Sequence, residues 1–275
     1  MPELPEVETI ARALAAEVAG RTVAGVTCFD PPALQPTPEA FAALVAGRRI
    51  ASVGRRGKLL LLNLAGGAQV AVHLRMTGRL VALPPGAEAQ RPRAVLALDD
   101  GSALGFSDVR RFGSMHGFGP GEIEAWPFYR TLGPEPFDLD AGGFSDRLGQ
   151  GAARIKSLLL DQTVIAGVGN IYADESLFRA GVRPDAPARS LSPARRARLF
   201  AALIEVLALA IAENGSSIRD YRDAHGDAGA FQNHFRAYGR AGQPCLNCGT
   251  RMLSMRVAGR TSTFCPKCQP EAGRR

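Results

Sequence analysis

The first six residues, Met1-Pro2-Glu3-Leu4-Pro5-Glu6, contain a proline whose nitrogen becomes a free secondary amine once the initiator methionine is removed. Free α-amino groups have pKa values of about 7.7–8.0, so near neutrality a share of such an amine is unprotonated and can attack carbon to give an iminium. The structural alternative is equally concrete. Proline opens helices, and the acids Glu3 and Glu6 suit the dipole at a helix start.

A second group lies at the other end. Cys245-x-x-Cys248 and Cys265-x-x-Cys268 are separated by sixteen residues, the spacing of two knuckles that each give two thiolates to one tetrahedral Zn²⁺. Two disulfides would instead require an oxidising compartment, which nothing in the chain implies. A four-cysteine site has no open coordination position, so such a zinc holds a fold and does no chemistry. Cys28, after a strand-like run, is expected to be a small buried hydrophobe.

Between these ends the signals are weaker. Arg48, Arg49, Arg55, Arg56 and Lys58 place five cations in eleven residues, either a solvated rim or an edge that faces phosphates. Lys58 leads directly into the leucine run 59–62, which suits an ammonium at a cleft edge. His73, ahead of Arg75-Met76, is by default a core histidine. Gly167-Val168-Gly169-Asn170 precedes a helix: glycines let N–H groups approach an anion and Asn170 can cap, but an ordinary turn has the same residues. Arg110-Arg111-Phe112-Gly113 sets an aromatic beside two cations, as an exposed loop or a wedge between bases would.

These residues need a scaffold. Residues 5–19 read as a helix, with Val7, Ile10, Leu14 and Val18 on one stripe and Gly20 beyond the end. Glu8 and Arg12 form an i,i+4 pair facing water. Strand-like runs follow at 21–29, 49–53, 58–64, 69–76, 94–98 and 102–107, with one short helix from Thr37-Pro38 to Gly47. Short strands punctuated by Gly and Pro indicate a β-sandwich or barrel. From residue 152 the pattern turns helical: Ile155, Leu158 and Leu159 share a face, 171–180 is a second helix, and 193–214, opened by Ser192-Pro193, is a third. The expected architecture is α+β and multidomain, divided as 1–130, a linker 131–151, a helical domain 152–235 and a zinc hairpin 236–275.

Composition narrows the partners. Residues 236–275 carry eight basic residues and one acid, which accounts for the whole net charge of +7 on the 275-residue chain. A basic tail on a neutral body suits an acidic polymer. The longest apolar runs, 206–212 among them, are far short of the roughly 20 residues of a membrane span, and the acidic start lacks the features of a signal peptide. A cytoplasmic protein with no membrane contact is expected.

In this order the motifs resemble the formamidopyrimidine-DNA glycosylases, bifunctional enzymes that remove oxidised purines. The resemblance runs nearly end to end. It rests on the N-terminal run from Met1 to Thr9, Gly57-Lys58, His73-Leu74-Arg75-Met76, Asp108-Val109-Arg110-Arg111-Phe112-Gly113, residues 167–175, Tyr238-Gly239-Arg240 and the four cysteines. It implies a helix on a β-sandwich, a helix–two-turn–helix domain and a zinc-finger hairpin, acting as a monomer on damaged double-stranded DNA with one structural zinc. By the resemblance Pro2 is the nucleophile at C1′, Glu3 its acid–base partner, and Lys58 and Arg260 assist elimination and bind phosphate. His73 and Asn170 grip phosphates, and Met76, Arg110 and Phe112 fill the hole left by the extruded nucleotide. Glu6, Lys156, Tyr238 and the loop from Arg219 to Ala230 sit near the flipped base.

This chain departs from the family pattern in one stretch. Where the family has a run of lysines before the first helix of the helical domain, residues 149–154 offer only Arg154, followed by Lys156. Arg91 and Arg93, before Ala94, are expected to contact DNA in their stead. Two rival readings share much of this sequence: an endonuclease VIII-like glycosylase for oxidised pyrimidines, and a zinc DNA-binding protein without turnover. The Met76 and Arg110-x-Phe112 arrangement and the Leu4 opening favour the purine enzyme over the first. Intact Pro2, Glu3, Glu6 and Lys58 argue against the second.

Overall fold

The structure is a computed structural model and describes residues 1–217 and 229–271. The chain forms two compact units: Met1–Arg130 with Glu213–Ala230, and Thr131–Ala212 with Phe231–Arg275.

The first unit begins with α1 (Leu4–Val18), whose stripe of Val7, Ile10, Leu14 and Val18 is buried as its spacing requires. Nine strands follow: β1 (Val23–Cys28), β2 (Leu34–Gln35), β3 (Ile50–Arg56), β4 (Leu59–Leu64), β5 (Gln69–His73), β6 (Gly78–Leu83), β7 (Pro92–Leu98), β8 (Ala103–Asp108) and β9 (Ser114–Phe118), with α2 (Pro38–Val45) after β2 and α3 (Pro127–Arg130) after β9. They build a four-stranded sheet, β1-β7-β8-β6, and a five-stranded sheet, β2-β9-β5-β4-β3, which enclose one apolar core with α1. β4 lies inside the larger sheet and is covered on both faces, so its leucines run unbroken rather than alternating.

β5 stops at His73, three residues before the expected end. Arg75 takes a left-handed φ of 53°, and the backbone turns so tightly that a Cβ on Gly78 would collide with the Leu74 carbonyl oxygen. Met76 is therefore on a turn and not on a strand.

The second unit contains α4 (Ala141–Leu148), α5 (Ile155–Leu160), α6 (Asn170–Ala180), α7 (Pro193–Ala212) and the hairpin β10 (Leu253–Val257) and β11 (Arg260–Phe264). Three expectations need correcting. Residues 131–151 are no linker, because they form α4, whose Phe144 and Leu148 are buried in the helical core. The hairpin belongs to the same unit as the helices, while 213–230 groups with the sandwich. α7 ends at Ala212, two residues early, because Asn214 and Gly215 both take positive φ. No described helix is long and apolar enough to cross a membrane.

Arg196 is the largest fully buried side chain described, and its partners are all neutral. Nε donates to the Leu191 carbonyl (3.1 Å), Nη1 to the Ser145 carbonyl (3.0 Å), and Nη2 to the Ala188 carbonyl (2.8 Å) and Gln150 Oε1 (3.2 Å). One guanidinium thus ties the chain around 145–150 and 188–191 to α7. Arg196→Met strands these acceptors and is expected to cost about 3 kcal/mol, whereas Arg196→Lys keeps the charge but only three donors and loses about half as much. Denaturant unfolding of the second unit, followed separately from the first, measures both.

Candidate active site and zinc centre

In the first unit the N-terminus is built by the start of α1. Glu3 occupies the N-cap in extended conformation, Pro5 sits in the first turn, and Pro2 and Glu3 are both buried while Met1 is 42% exposed. Glu6, also buried, holds this end in place: its Oε2 accepts the Glu3 N–H at 2.9 Å. Its Oε1 accepts the N–H and hydroxyl of Ser216 at 2.8 and 3.0 Å. A Cβ on Gly215 would approach Glu6 Cγ to 2.8 Å, so glycine is required there. Glu6, expected near the flipped base, thus uses its carboxylate to bind the start of α1 to Ser216.

Lys58 is half-buried and precedes Leu59, which pairs with His73 across β4 and β5. His73 is 7% exposed, and its Nδ1 accepts the Arg75 N–H at 3.1 Å. Burial first, then the charges of Arg75, Lys58 and His116, push its pKa down to about 3. The ring is therefore neutral with its proton on Nε2, a single hydrogen-bond donor rather than a cation. The edge of Phe128 packs on it at 5.8 Å.

Met76, Arg110 and Phe112 are exposed turn residues, Met76 at 38% and Phe112 at 57%. The Arg110 guanidinium lies over the Phe112 ring, 4.9 Å from its centroid. Arg91 is exposed, with φ 47°. Arg93 is not available to DNA: it is 4% exposed, pairs with Asp30 at 2.6 Å and donates to the Gly113 carbonyl at 2.5 Å. The basic run around β3 is likewise partly internal. Arg55 pairs with Glu8 at 2.6 Å, and Glu8 also binds Arg12, so Glu8 is not simply a water-facing partner. Burial pushes the Glu8 carboxyl up, but the two guanidiniums together hold it below its ordinary range.

The second unit carries the cysteine cluster. The four Sγ atoms lie within 4.8 Å of one another, with Cys245–Cys268 at 3.9 Å, Cys248–Cys265 at 3.5 Å and Cys248–Cys268 at 3.4 Å. A tetrahedral zinc with Zn–S bonds of about 2.3 Å needs sulfur separations of about 3.8 Å. A disulfide needs about 2.05 Å. The donor set fits one structural zinc, held by Cys245, Cys248, Cys265 and Cys268.

β10 and β11 meet in a two-residue turn, Ala258-Gly259, with both φ values positive as a tight hairpin requires. Arg260, the next residue, is exposed. Its neighbour is anchored from the helices: the Thr261 carbonyl accepts from Asn170 Nδ2 at 3.1 Å and from Lys156 Nζ at 3.3 Å. Lys156 is fully buried, with Asp174 Oδ1 at 2.6 Å and Ser262 Oγ at 2.7 Å, and Asp174 also accepts the Thr263 N–H. Burial raises the Asp174 carboxyl to about 6 against the pull of that ammonium. Lys156 thus fastens β11 from inside and does not line an open pocket. Asn170 opens α6 without capping it, since Gly169 is the N-cap.

Tyr238 is half-buried against Phe235, and its N–H donates to Glu175 Oε1 at 2.8 Å. Glu175 also accepts the N–H groups of Arg236 and Ala237, so one buried carboxylate shapes the whole 236–238 turn. Sequence reasoning gave Glu175 no role; an acid in the middle of an otherwise apolar helix face was the available signal. Arg219 lies outside the described residues.

Three family models match the chain in order. The formamidopyrimidine-DNA glycosylase N-terminal domain covers residues 1–115, the formamidopyrimidine-DNA glycosylase H2TH domain 132–222, and a zinc finger found in FPG and IleRS 242–270. Together with the geometry they define a zinc-bearing helix–two-turn–helix protein built on a β-sandwich. A formamidopyrimidine-DNA glycosylase of Chloroflexus aggregans is 48% identical, over 98% of either chain. The crystal structure of the MutM (Fpg) protein from Thermus thermophilus superposes with a TM-score of 0.88 at 45% identity, over 98% of this chain and 99% of that one. A Lactococcus lactis FPG variant, solved in complex with DNA containing Fapy-dG, gives 0.91 at 32% identity, over 98% and 100%. The chain belongs to the formamidopyrimidine-DNA glycosylase family.

Proposed function

We propose that this chain is a base-excision glycosylase that removes oxidised purines from duplex DNA and then cleaves the strand at the abasic product. The observation that carries the reading is the presence in one unit of a buried Pro2–Glu3 pair at a helix start and an exposed Met76, Arg110 and Phe112. A base inside a duplex is unreachable, so it must be extruded at a cost of a few kcal/mol. Met76 and Phe112 offset part of that by stacking in the gap, and Arg110 hydrogen-bonds the orphaned partner base. L. lactis FPG has been solved with DNA holding Fapy-dG, a purine lesion, and with DNA holding an oxidised pyrimidine, so the purine reading rests on the Met76 and Arg110-x-Phe112 arrangement.

Once Met1 is gone, the Pro2 nitrogen attacks C1′, the C1′–base bond breaks, and the electron pair leaves with the base, which takes up a proton. Glu3 serves that proton transfer. The Pro2 nitrogen then gives up its proton and its lone pair breaks the C1′–O4′ bond, O4′ taking up a proton, which opens the sugar to an iminium. This acidifies the C2′ proton, whose loss expels the 3′ phosphate, and a second elimination expels the 5′ phosphate. Lys58 and Arg260 assist these eliminations and bind phosphate. Neutral His73 and the Asn170 amide are assigned to backbone phosphates, and exposed Arg91 adds positive charge to the first unit. We assign Tyr238 and Arg219 to recognition of the extruded base, while Glu6 and Lys156 act by holding segments of their own units in place. Zinc, when bound, supplies folding energy only.

Borohydride trapping on single-lesion duplexes tests this. Covalent capture and cleavage of duplexes with 8-oxoguanine opposite cytosine, exceeding those with thymine glycol, are expected. Preference for thymine glycol would assign the chain to oxidised pyrimidines, and binding without capture would make it a non-catalytic DNA-binding protein.

A further inference from the structure

The turn that carries Met76 and the turn that carries Arg110 and Phe112 are joined through one buried carboxylate. The Asp108 side chain is fully buried. Its Oδ1 accepts the Thr77 hydroxyl and the Arg110 N–H, and its Oδ2 accepts the Gly113 N–H at 2.6 Å. The Arg110 N–H is shared, because Thr77 Oγ1 also lies 3.1 Å from it. Thr77 is thus hydrogen-bonded to both ends of the link while being the chain neighbour of Met76.

Arg93 closes the network from below. It donates to the Gly113 carbonyl and stands 3.8 Å from Asp108, with Asp30 balancing its charge. Gly113 packs so closely that a Cβ there would lie 3.0 Å from the His73 carbonyl oxygen and 3.1 Å from Asp108 Oδ2. Arg75 and Arg111, one in each turn, take left-handed φ values of 53° and 57°, a conformation that a non-glycine residue keeps only where its surroundings enforce it.

We infer that Thr77 and Asp108 are positioning residues that hold Met76, Arg110 and Phe112 as one preformed wedge. The inference rests on the glycosylase reading above and deepens it. Two separate loops would have to be ordered at the moment the base leaves, and each ordered residue costs conformational entropy. The shared carboxylate orders them beforehand, so insertion requires only that the duplex open. Neither residue touches DNA in this account. Their effect passes through the wedge, and it matters where there is a hole to fill.

The test compares Thr77→Val with Thr77→Ser in single-turnover release of 8-oxoguanine. One substrate is an intact duplex; the other has the opposite strand gapped at the lesion, so that nothing remains to be wedged. Thr77→Val is expected to lose about tenfold on the intact duplex, the cost of ordering roughly one further residue, and less than about twofold on the gapped one. Thr77→Ser, which keeps the hydroxyl, matches the unmodified protein on both. Equal losses on the two substrates, no loss on the intact duplex, or a serine variant as poor as valine would overturn the inference. Should Thr77→Val lower the melting temperature, amide exchange in the unmodified protein decides: the Arg110 and Gly113 amides are expected to be protected without DNA, and free exchange there sinks the preformed wedge. Unmodified protein that releases no base from either duplex would fail the glycosylase reading instead, leaving the exchange result to judge the wedge.

Discussion

Removing the metal is expected to lower affinity for lesion-containing DNA by at least ~100-fold while the N-terminal sandwich stays folded. A lone two-stranded hairpin is marginal in water. Among the described residues, the apolar cluster around the zinc ligands holds Phe178, Ala237 and Met252 besides the buried Cys245 and Cys265, with Cys248 and Cys268 partly buried against it. Structural zinc supplies an apparent ~10–16 kcal/mol at neutral pH, far more than those contacts can replace. Loss of the hairpin removes more than Arg260. It takes Ser262 and the Thr261 carbonyl away from the fully buried Lys156, and the Thr263 N–H away from Asp174. An ion pair stripped of its other hydrogen bonds in the interior is costly, so α5 and α6 should loosen as well. Chelation and Cys265→Ser are expected to agree. Titration of an abasic-analogue duplex at fixed salt reads the affinity, and limited proteolysis reads the sandwich. Metal-free protein that binds as tightly as the zinc form would separate the hairpin from DNA recognition.

What the sequence made legible follows physical locality. α1 could be read because four apolar residues repeat at helical spacing, and the zinc site because ligand spacing is a local property. β4 was legible as a strand, since a leucine run flanked by glycine and turn residues is what a doubly covered strand needs. β6 and β9 were not read. Ser114-Met115-His116-Gly117-Phe118 has poor strand propensity, and its pairing with β5 on one side and β2 on the other makes it a strand. α4 was missed for a related reason: two glycines weaken its pattern, and the burial of Phe144 that stabilises it is tertiary.

The same division runs through the site. Pro2, Glu3, Met76, Arg110 and Phe112 could be put forward because the family resemblance assigns them by residue type and position along the chain. Arg93 could not be told from Arg91, although one is buried against Asp30 and the other is exposed. Lys156 read as a pocket cation, and its partner Asp174 was invisible, because the ion pair joins residues eighteen apart and is finished by Ser262, 88 residues beyond Asp174. Charges that build a site and charges that work in it look alike in one dimension. Only burial and partner geometry separate them.

Protein that retains Met1 is expected to bind lesion duplex yet release no base. While Met1 is attached, the Pro2 nitrogen is a tertiary amide, its lone pair delocalised into the carbonyl and unable to attack C1′. Met1 is 42% exposed beside a buried Pro2, so an extra residue can remain without disturbing α1, whose first turn is held by Glu6. Blocking should therefore act on chemistry rather than folding. Loss of a covalent nucleophile predicts a fall in single-turnover excision of roughly three orders of magnitude or more, with dissociation constant and melting temperature close to those of processed protein. Mass spectrometry of the borohydride adduct should place the link on the N-terminal proline peptide. Pro2→Gly, processed to a primary amine, should keep measurable Schiff-base chemistry, since it removes the ring but not the nucleophile. Glu3→Gln should suffer more in base release, where a proton must move as the base departs, than in cleavage at a preformed abasic site, where no base remains to leave. Full turnover by protein shown to retain Met1 would put the nucleophile elsewhere, and Lys58, half-buried one residue from the partner of His73, would be the first amine to replace.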